Sequence, residues 1–328
     1  MLFYIFRRIV WSIPFFFAIS LFAFLIIQAP PGDYLTTYAA RLEAQGQVVD
    51  QARLETLRER FALGEPVLVQ YFRWITGIIT RGDFGISFEF QQSVSEMIGQ
   101  RMALSVVLAT STLFFTWAIA LPIGIYSAVR QYTAGDYFFS ILGFIGLATP
   151  NFLIALVLMY YGTVHLGADV TGLFSPEYAN APWSGAKVVD LLKHLIIPVA
   201  IVGTASTASL IRVMRANLLD ELYKPYVVTA RAKGLSEFRL LMKYPVRIAL
   251  NPFVSTIGWA FPQIVSGSTI VAVVLSLPTA DPLLLDALLS QDMYLAGAFI
   301  LLLSVLSIVG MLVSDILLAL IDPRIRYK

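Results

Sequence analysis

Apolar runs long enough to cross a bilayer recur along this chain, at 9–29, 104–125, 138–163, 191–211, 253–275 and 294–318. A helix needs about 20 such residues to span roughly 30 Å of hydrocarbon. Inside hydrocarbon every backbone N–H and C=O must also be paired within protein. Six such runs predict an all-α integral membrane protein with six transmembrane helices. Composition agrees, because 58% of the 328 residues are hydrophobic and only 13% charged, far from the balance of a soluble domain. The first run, preceded by Arg7 and Arg8, is too long for the apolar core of a signal peptide. It ends in Gln28-Ala29-Pro30-Pro31-Gly32-Asp33, which offers no small-x-small cleavage site, so it reads as a span.

From 33 to 101 the chain turns polar. Asp50, Arg53, Glu55, Arg58, Glu59 and Arg60 alternate with Leu54, Leu57 and Phe61 at helical spacing, which predicts an amphipathic surface helix closed by Gly64 and Pro66. A second short segment, 68–79, carries Tyr71, Phe72 and Trp74, side chains suited to a membrane interface. This insertion exceeds an ordinary connection and is expected to form an extracytoplasmic subdomain. With no internal repeat or low-complexity stretch, the chain reads as one membrane domain over 1–328.

Charge sets the expected orientation. With the N-terminus in the cytoplasm, that side holds 14 of the 23 cations, and 15 of the 21 acids fall on the other. Short cytoplasmic loops are the cation-rich ones, so both termini and the loop 212–252 are expected inside. The chain has no cysteine, and its two histidines, His165 and His194, lack metal-site spacing. No metal and no nucleic-acid partner is expected. No Gly-x-x-x-x-Gly-Lys-Ser/Thr loop occurs, so this chain does not hold ATP by that device.

Asp315 is the one ionisable residue read as lying inside a span. A solitary acid makes no proton relay, so a partnership with an interfacial cation is expected. The fifth run carries Ser255, Thr256, Gln263, Ser266, Ser268 and Thr269 beside Gly258, Pro262 and Gly267. Helix packing through small residues and the lining of a solute pathway both account for that pattern. Asn151, Gln263, Ser266 and Ser268 are the pathway candidates, because Pro150 would free backbone carbonyls in the third run.

The compact charged stretch is Tyr226-Val-Val-Thr-Ala-Arg-Ala-Lys-Gly234. Pro225 suits a first helical turn, Arg231 and Lys233 suit a last one, and Gly234 suits a left-handed cap. Followed by a basic run to Arg247 and by Asn251-Pro252, it resembles the cytoplasmic coupling loop of ABC importer permeases, most closely the dipeptide/oligopeptide branch. Phe6-Arg7-Arg8, Gly82-Asp83-Phe84-Gly85-Ile86-Ser87, Pro150-Asn151-Phe152 and Leu320-Ile321-Asp322-Pro323-Arg324-Ile325-Arg326 extend the resemblance over nearly the whole chain.

The resemblance implies a transport subunit in a bacterial inner membrane rather than an enzyme. The implied partners are a second permease subunit, two cytoplasmic ABC ATPases carrying ATP and Mg, and an extracytoplasmic solute-binding protein. It also implies that Tyr226, Thr229, Ala230, Arg231, Ala232, Lys233 and Gly234 couple to the ATPase. Substrates in the family include peptides, nickel complexes and oligosaccharides. Where many relatives carry a glutamate and then Pro-Gly-Leu-Gly, this chain reads Ala272 and Pro278-Thr279-Ala280-Asp281-Pro282, which keeps an oligosaccharide as the alternative to a peptide. An ion-coupled secondary transporter is more distant, since neither mid-membrane ion ligands nor a two-fold repeat is visible.

Overall fold

A computed structural model of the chain describes residues 2–28, 35, 39, 43, 44, 52, 55, 56, 58, 64–167, 170–258, 263 and 268–321. Its helices are, in order, α1 (Leu2–Ile27), α2 (Val67–Arg81), α3 (Val94–Val129), α4 (Ala134–Ala148), α5 (Asn151–Leu166), α6 (Pro176–Ala179) and α7 (Gly185–Leu222). There follow α8 (Pro225–Ala232), α9 (Glu237–Lys243), α10 (Pro245–Ala249), α11 (Asn251–Ser255), α12 (Thr269–Val274), α13 (Ala280–Leu289) and α14 (Met293–Ile321). Four of these, α1, α3, α7 and α14, are long and apolar enough to cross a membrane, and five spans result if α4 and α5 form one bent span.

Several expected boundaries shift. The third run, 138–163, is not one helix, because α4 and α5 meet at a bend of 94°. Thr149 is extended (φ −90°, ψ 119°) and Pro150 likewise (φ −59°, ψ 133°), as expected where a proline disfavours helix in the residue before it. The fifth run, 253–275, is not a continuous helix among the described residues. There α11 stops at Ser255 and α12 covers only Thr269–Val274, and the run between carries Gly258, Pro262 and Gly267. The helix at Arg7 and Arg8 has already begun at Leu2. Meanwhile α7 continues past 211 to Leu222, since nothing breaks it before Lys224 turns extended (ψ 148°) ahead of Pro225. Most of the surface helix expected near 50–61 lies outside the described residues; 52, 55, 56 and 58 are helical.

One compact unit comprises residues 1–8, 106–278 and 307–328. Within it α3 and α7 approach closely at Gly124, where a Cβ would lie 2.6 Å from that of Met214. Small residues allow such approach between membrane helices. Met214, Leu218, Val246, Ala249 and Phe253 fill the core beside this contact, and the rings of Trp117 and Phe253 meet edge-on at 5.8 Å. Asp315 finds its cation in Arg8, with Nε 2.9 Å from Oδ2.

The other unit comprises residues 9–105 and 279–306. Phe24 stacks on Trp74 at 5.4 Å, and Ser20 and Tyr71 share a hydroxyl hydrogen bond of 2.7 Å. These contacts seat the inner face of α2. The helix ends at Gly82 (φ +64°), and the turn that follows is fastened to the start of α14. The buried Asp292 carboxylate accepts from Leu295 N–H at 3.2 Å, capping α14, and from Ser87 Oγ at 2.5 Å and Glu89 N–H at 3.1 Å. Burial pushes the Asp292 carboxyl above its ordinary pKa, against the pull of these hydrogen bonds. Gly82-Asp83-Phe84-Gly85-Ile86-Ser87 is thus a structural brace.

Candidate functional site

The charged stretch folds as a short helix hung on the end of α7. Pro225 stands at the first turn of α8, and Gly234 closes the following turn at φ +79°, with its N–H donating to Arg231 O at 3.0 Å. An L side chain at that φ costs about 1 kcal/mol or more.

One face of α8 is committed inward. Val227 and Ala230, one turn apart, are buried and meet the buried Leu240 of α9, with Tyr226, Leu235 and Tyr244 packed around them. Ala230 therefore serves the chain's own small core. The opposite face carries Val228, Thr229 and Ala232, all exposed, at the i, i+1 and i+4 spacing of one helical flank. Thr229 spends its hydroxyl on Pro225 O at 2.8 Å.

Glu221 ties α8 to α7. Nearly buried in the last turn of α7, it receives Lys224 Nζ at 2.5 Å and the Tyr226 hydroxyl. Burial first, and Glu221 second, push the Tyr226 phenol well above its ordinary value, so it stays a neutral donor. Beyond α8, Arg231 forks onto Glu237, Nε to Oε1 at 2.7 Å and Nη2 to Oε2 at 3.2 Å. The pair raises the arginine and lowers the glutamate; both are exposed, so it orients more than it stabilises. Lys233 and Ala232 are exposed without such engagement among the described residues.

Further along α7 toward its middle, Arg215 holds Asp136 near the start of α4, Nε to Oδ1 at 3.0 Å and Nη2 to Oδ2 at 2.9 Å. Tyr132 N–H adds a third bond to Oδ2 at 3.0 Å, and Thr133 caps α4 through Asp136 N–H. A continuous chain of contacts runs from α8 through Glu221 and α7 to α4. Sequence reading missed Glu221, Glu237, Val228 and Asp136. Spacing exposes only the local members, Glu221 lying five residues before Tyr226 and Glu237 six after Arg231.

The pathway candidates differ in their surroundings. Asn151 is half-buried at the start of α5 with its Oδ1 unpartnered among the described residues. Gln263 is exposed and Ser268 buried, and Ser266 lies outside the described residues.

Comparison with known proteins gives these features a family. Residues 120–327 match the model described as binding-protein-dependent transport system inner membrane component, and residues 1–109 match its N-terminal companion. The oligopeptide transport system permease protein AppB of Bacillus subtilis (strain 168) is 36% identical over 325 residues, 99% of each chain. OppB of Haemophilus influenzae, an oligopeptide transport system permease protein, is 30% identical over 328 residues, 100% of each chain. The glutathione transport system permease protein GsiC of Escherichia coli (strain K12) is 31% identical over 328 residues, again 100% of each chain. This chain belongs to the family of inner-membrane components of binding-protein-dependent transport systems.

Proposed function

We propose that this permease subunit imports peptide-type solutes, and that α8 is the element through which ATP hydrolysis elsewhere in the assembly moves its helices. The observation that carries the reading is the two-faced build of α8. Val227 and Ala230 are spent on the chain's own core, and Val228, Thr229 and Ala232 are presented outward at the end of a 38-residue helix. Small residues on an outward face suit a partner groove, and Arg231 and Lys233 supply polar contacts at its rim. Peptide-type solutes are supported by the oligopeptide and glutathione systems to which the relatives belong. Family membership also sets aside the ion-coupled alternative.

Six spans, both termini in the cytoplasm and an extracytoplasmic 33–101 remain our reading, supported by the cation asymmetry. A second permease subunit, two ATPases carrying ATP and Mg, and a solute-binding protein complete the proposed assembly. Closure of the ATPase pair would push α8, rock α7 and, through Arg215 and Asp136, carry α4 along as a rigid body.

The test compares Ala232→Glu and Gly234→Asp with Arg239→Ala in the assembled transporter. The first two should reach the membrane at normal levels yet lose transport and solute-stimulated ATPase activity, and Arg239→Ala should keep both. Normal transport by the first two with failure of the third would move the coupling contact beyond Gly234.

A further inference from the structure

The brace between α2 and α14 also walls a cleft of about 240 Å³, lined by the motif turn together with Arg73, Trp74, Gly77, Arg81 and Tyr294. Arg73, Gly77 and Arg81 recur every four residues, so they share one flank of α2. Between the two arginines Gly77 adds no side chain, and a Cβ there would make only ordinary contacts, 3.7 Å from Arg81 Nη2 and 3.4 Å from Asp83 O. The walls have spent their own polar groups. Trp74 Nε1 donates to Phe84 O at 3.1 Å, Gly85 N–H donates to Asp83 Oδ1 at 2.9 Å, and Arg73 is held by Glu65 at 2.9 Å. Arg81 alone of the two guanidiniums forms no ion pair with a described residue.

The two flanks of α2 differ. Leu68, Phe72 and Ile79, each more than half exposed, lie roughly 160° around the helix from the arginine flank at about 100° per residue. An apolar flank of this kind settles into the headgroup boundary, which turns the arginine flank toward water. The cleft is smaller than the roughly 300 Å³ at which small-molecule pockets begin, too small for an oligopeptide and adequate for one acidic side chain. Guanidinium forks pair with carboxylates two bonds at a time, and the faces of Trp74 and Tyr294 would shield such a pair. Asp83 keeps a carboxylate from resting over the turn and so directs it to Arg81.

We propose that this cleft is a docking socket for an aspartate or glutamate side chain of the extracytoplasmic binding protein. The proposal rests on the reading that 33–101 faces outward. It predicts a contact that sets how readily the binding protein docks, without altering turnover once docked.

The assembled transporter in nanodiscs, titrated with the purified binding protein of the same system, tests this through ATPase stimulation. Arg81→Glu should raise the half-saturating concentration about tenfold or more, with Arg81→Lys intermediate and the saturated rate unchanged. A binding-protein variant with the matching acid changed to arginine should rescue Arg81→Glu, which a merely misfolded variant would not allow. Half-saturation that is unchanged in Arg81→Glu, while the wild type responds normally, overturns the socket. A wild type that never responds to the binding protein would instead overturn the functional reading beneath it. A third arm adds trialanine or its C-terminal amide without binding protein. Saturable binding of the acid but not the amide, lost in Arg81→Glu, would make the cleft a solute site and also overturn the proposal.

Discussion

Arg215 grips both oxygens of Asp136, at 3.0 Å and 2.9 Å, across 79 positions of sequence. The acid is 3% and the arginine 27% exposed on the side chain, so breaking the pair leaves a charge poorly solvated. Asp136→Ala is expected to cost about 3 kcal/mol, read as a fall in the thermal midpoint of the purified assembly. Asp136→Ala with Arg215→Ala should cost less than the sum of the two single changes, the sign of direct coupling. Additive losses would show the two residues acting independently.

Glu221 organises the junction of α7 and α8 through Lys224 and Tyr226. Removing its carboxylate in Glu221→Ala strands the half-buried Tyr226 hydroxyl, a penalty of about 1 kcal/mol, and loosens α8 at its attachment. ATP consumed per solute imported should rise, with membrane levels maintained. Tyr226→Phe, which removes the stranded group as well, should be milder. Unchanged stoichiometry in Glu221→Ala would show that α8 is held by its apolar face alone.

Asp281 sits buried in the first turn of α13, and burial pushes its carboxyl from 3.8 up to about 6. A folded state that holds its proton more tightly is favoured at low pH. The contribution is full below about pH 3.8 and is lost as pH rises through about 6. Asp281→Asn should flatten the stability profile across that window and stabilise the assembly at pH 7, by up to about 3 kcal/mol for a shift of this size. A profile that keeps its slope in Asp281→Asn would assign the titration elsewhere.

The local chemistry of α8 was legible in the sequence and the ties that anchor it were not. Pro225 at a helix start and Gly234 at positive φ follow from what those residues permit within one turn of chain. The Arg215 and Asp136 pair has no such signature, because the two lie on separate helices whose packing decides their meeting. Likewise the length of the third apolar run was legible while its 94° bend was not. Thr149-Pro150-Asn151 marks where the run would lose backbone hydrogen bonds, and only the backbone geometry gives the angle between α4 and α5. Asp315 shows the intermediate case: the need for a cation was plain, and the choice of Arg8 was not.

Topology can be read directly in a chain without cysteine. Gln92→Cys, Asn180→Cys and Ser236→Cys place single thiols at exposed sites. An impermeant maleimide applied to spheroplasts, from which the outer membrane has been removed, should label the first two and spare the third until the membrane is opened. Labelling of position 236 in sealed spheroplasts would invert the proposed orientation.

Ser87 and Asp292 meet although 205 residues separate them. A ribosome making about 5–20 residues per second needs roughly 10–40 s to cover that distance. During the interval the turn after α2 lacks the Asp292 carboxylate that will fasten it to α14, and Phe88, wholly buried at the end, waits uncovered. On the proposed orientation, the 33–101 stretch crosses the membrane before the segment that completes it has been synthesised. On that order the turn at 82–90 is the stretch of a newborn chain most open to proteolysis, and a chain truncated just before α13 should be cleaved there while the full chain is spared.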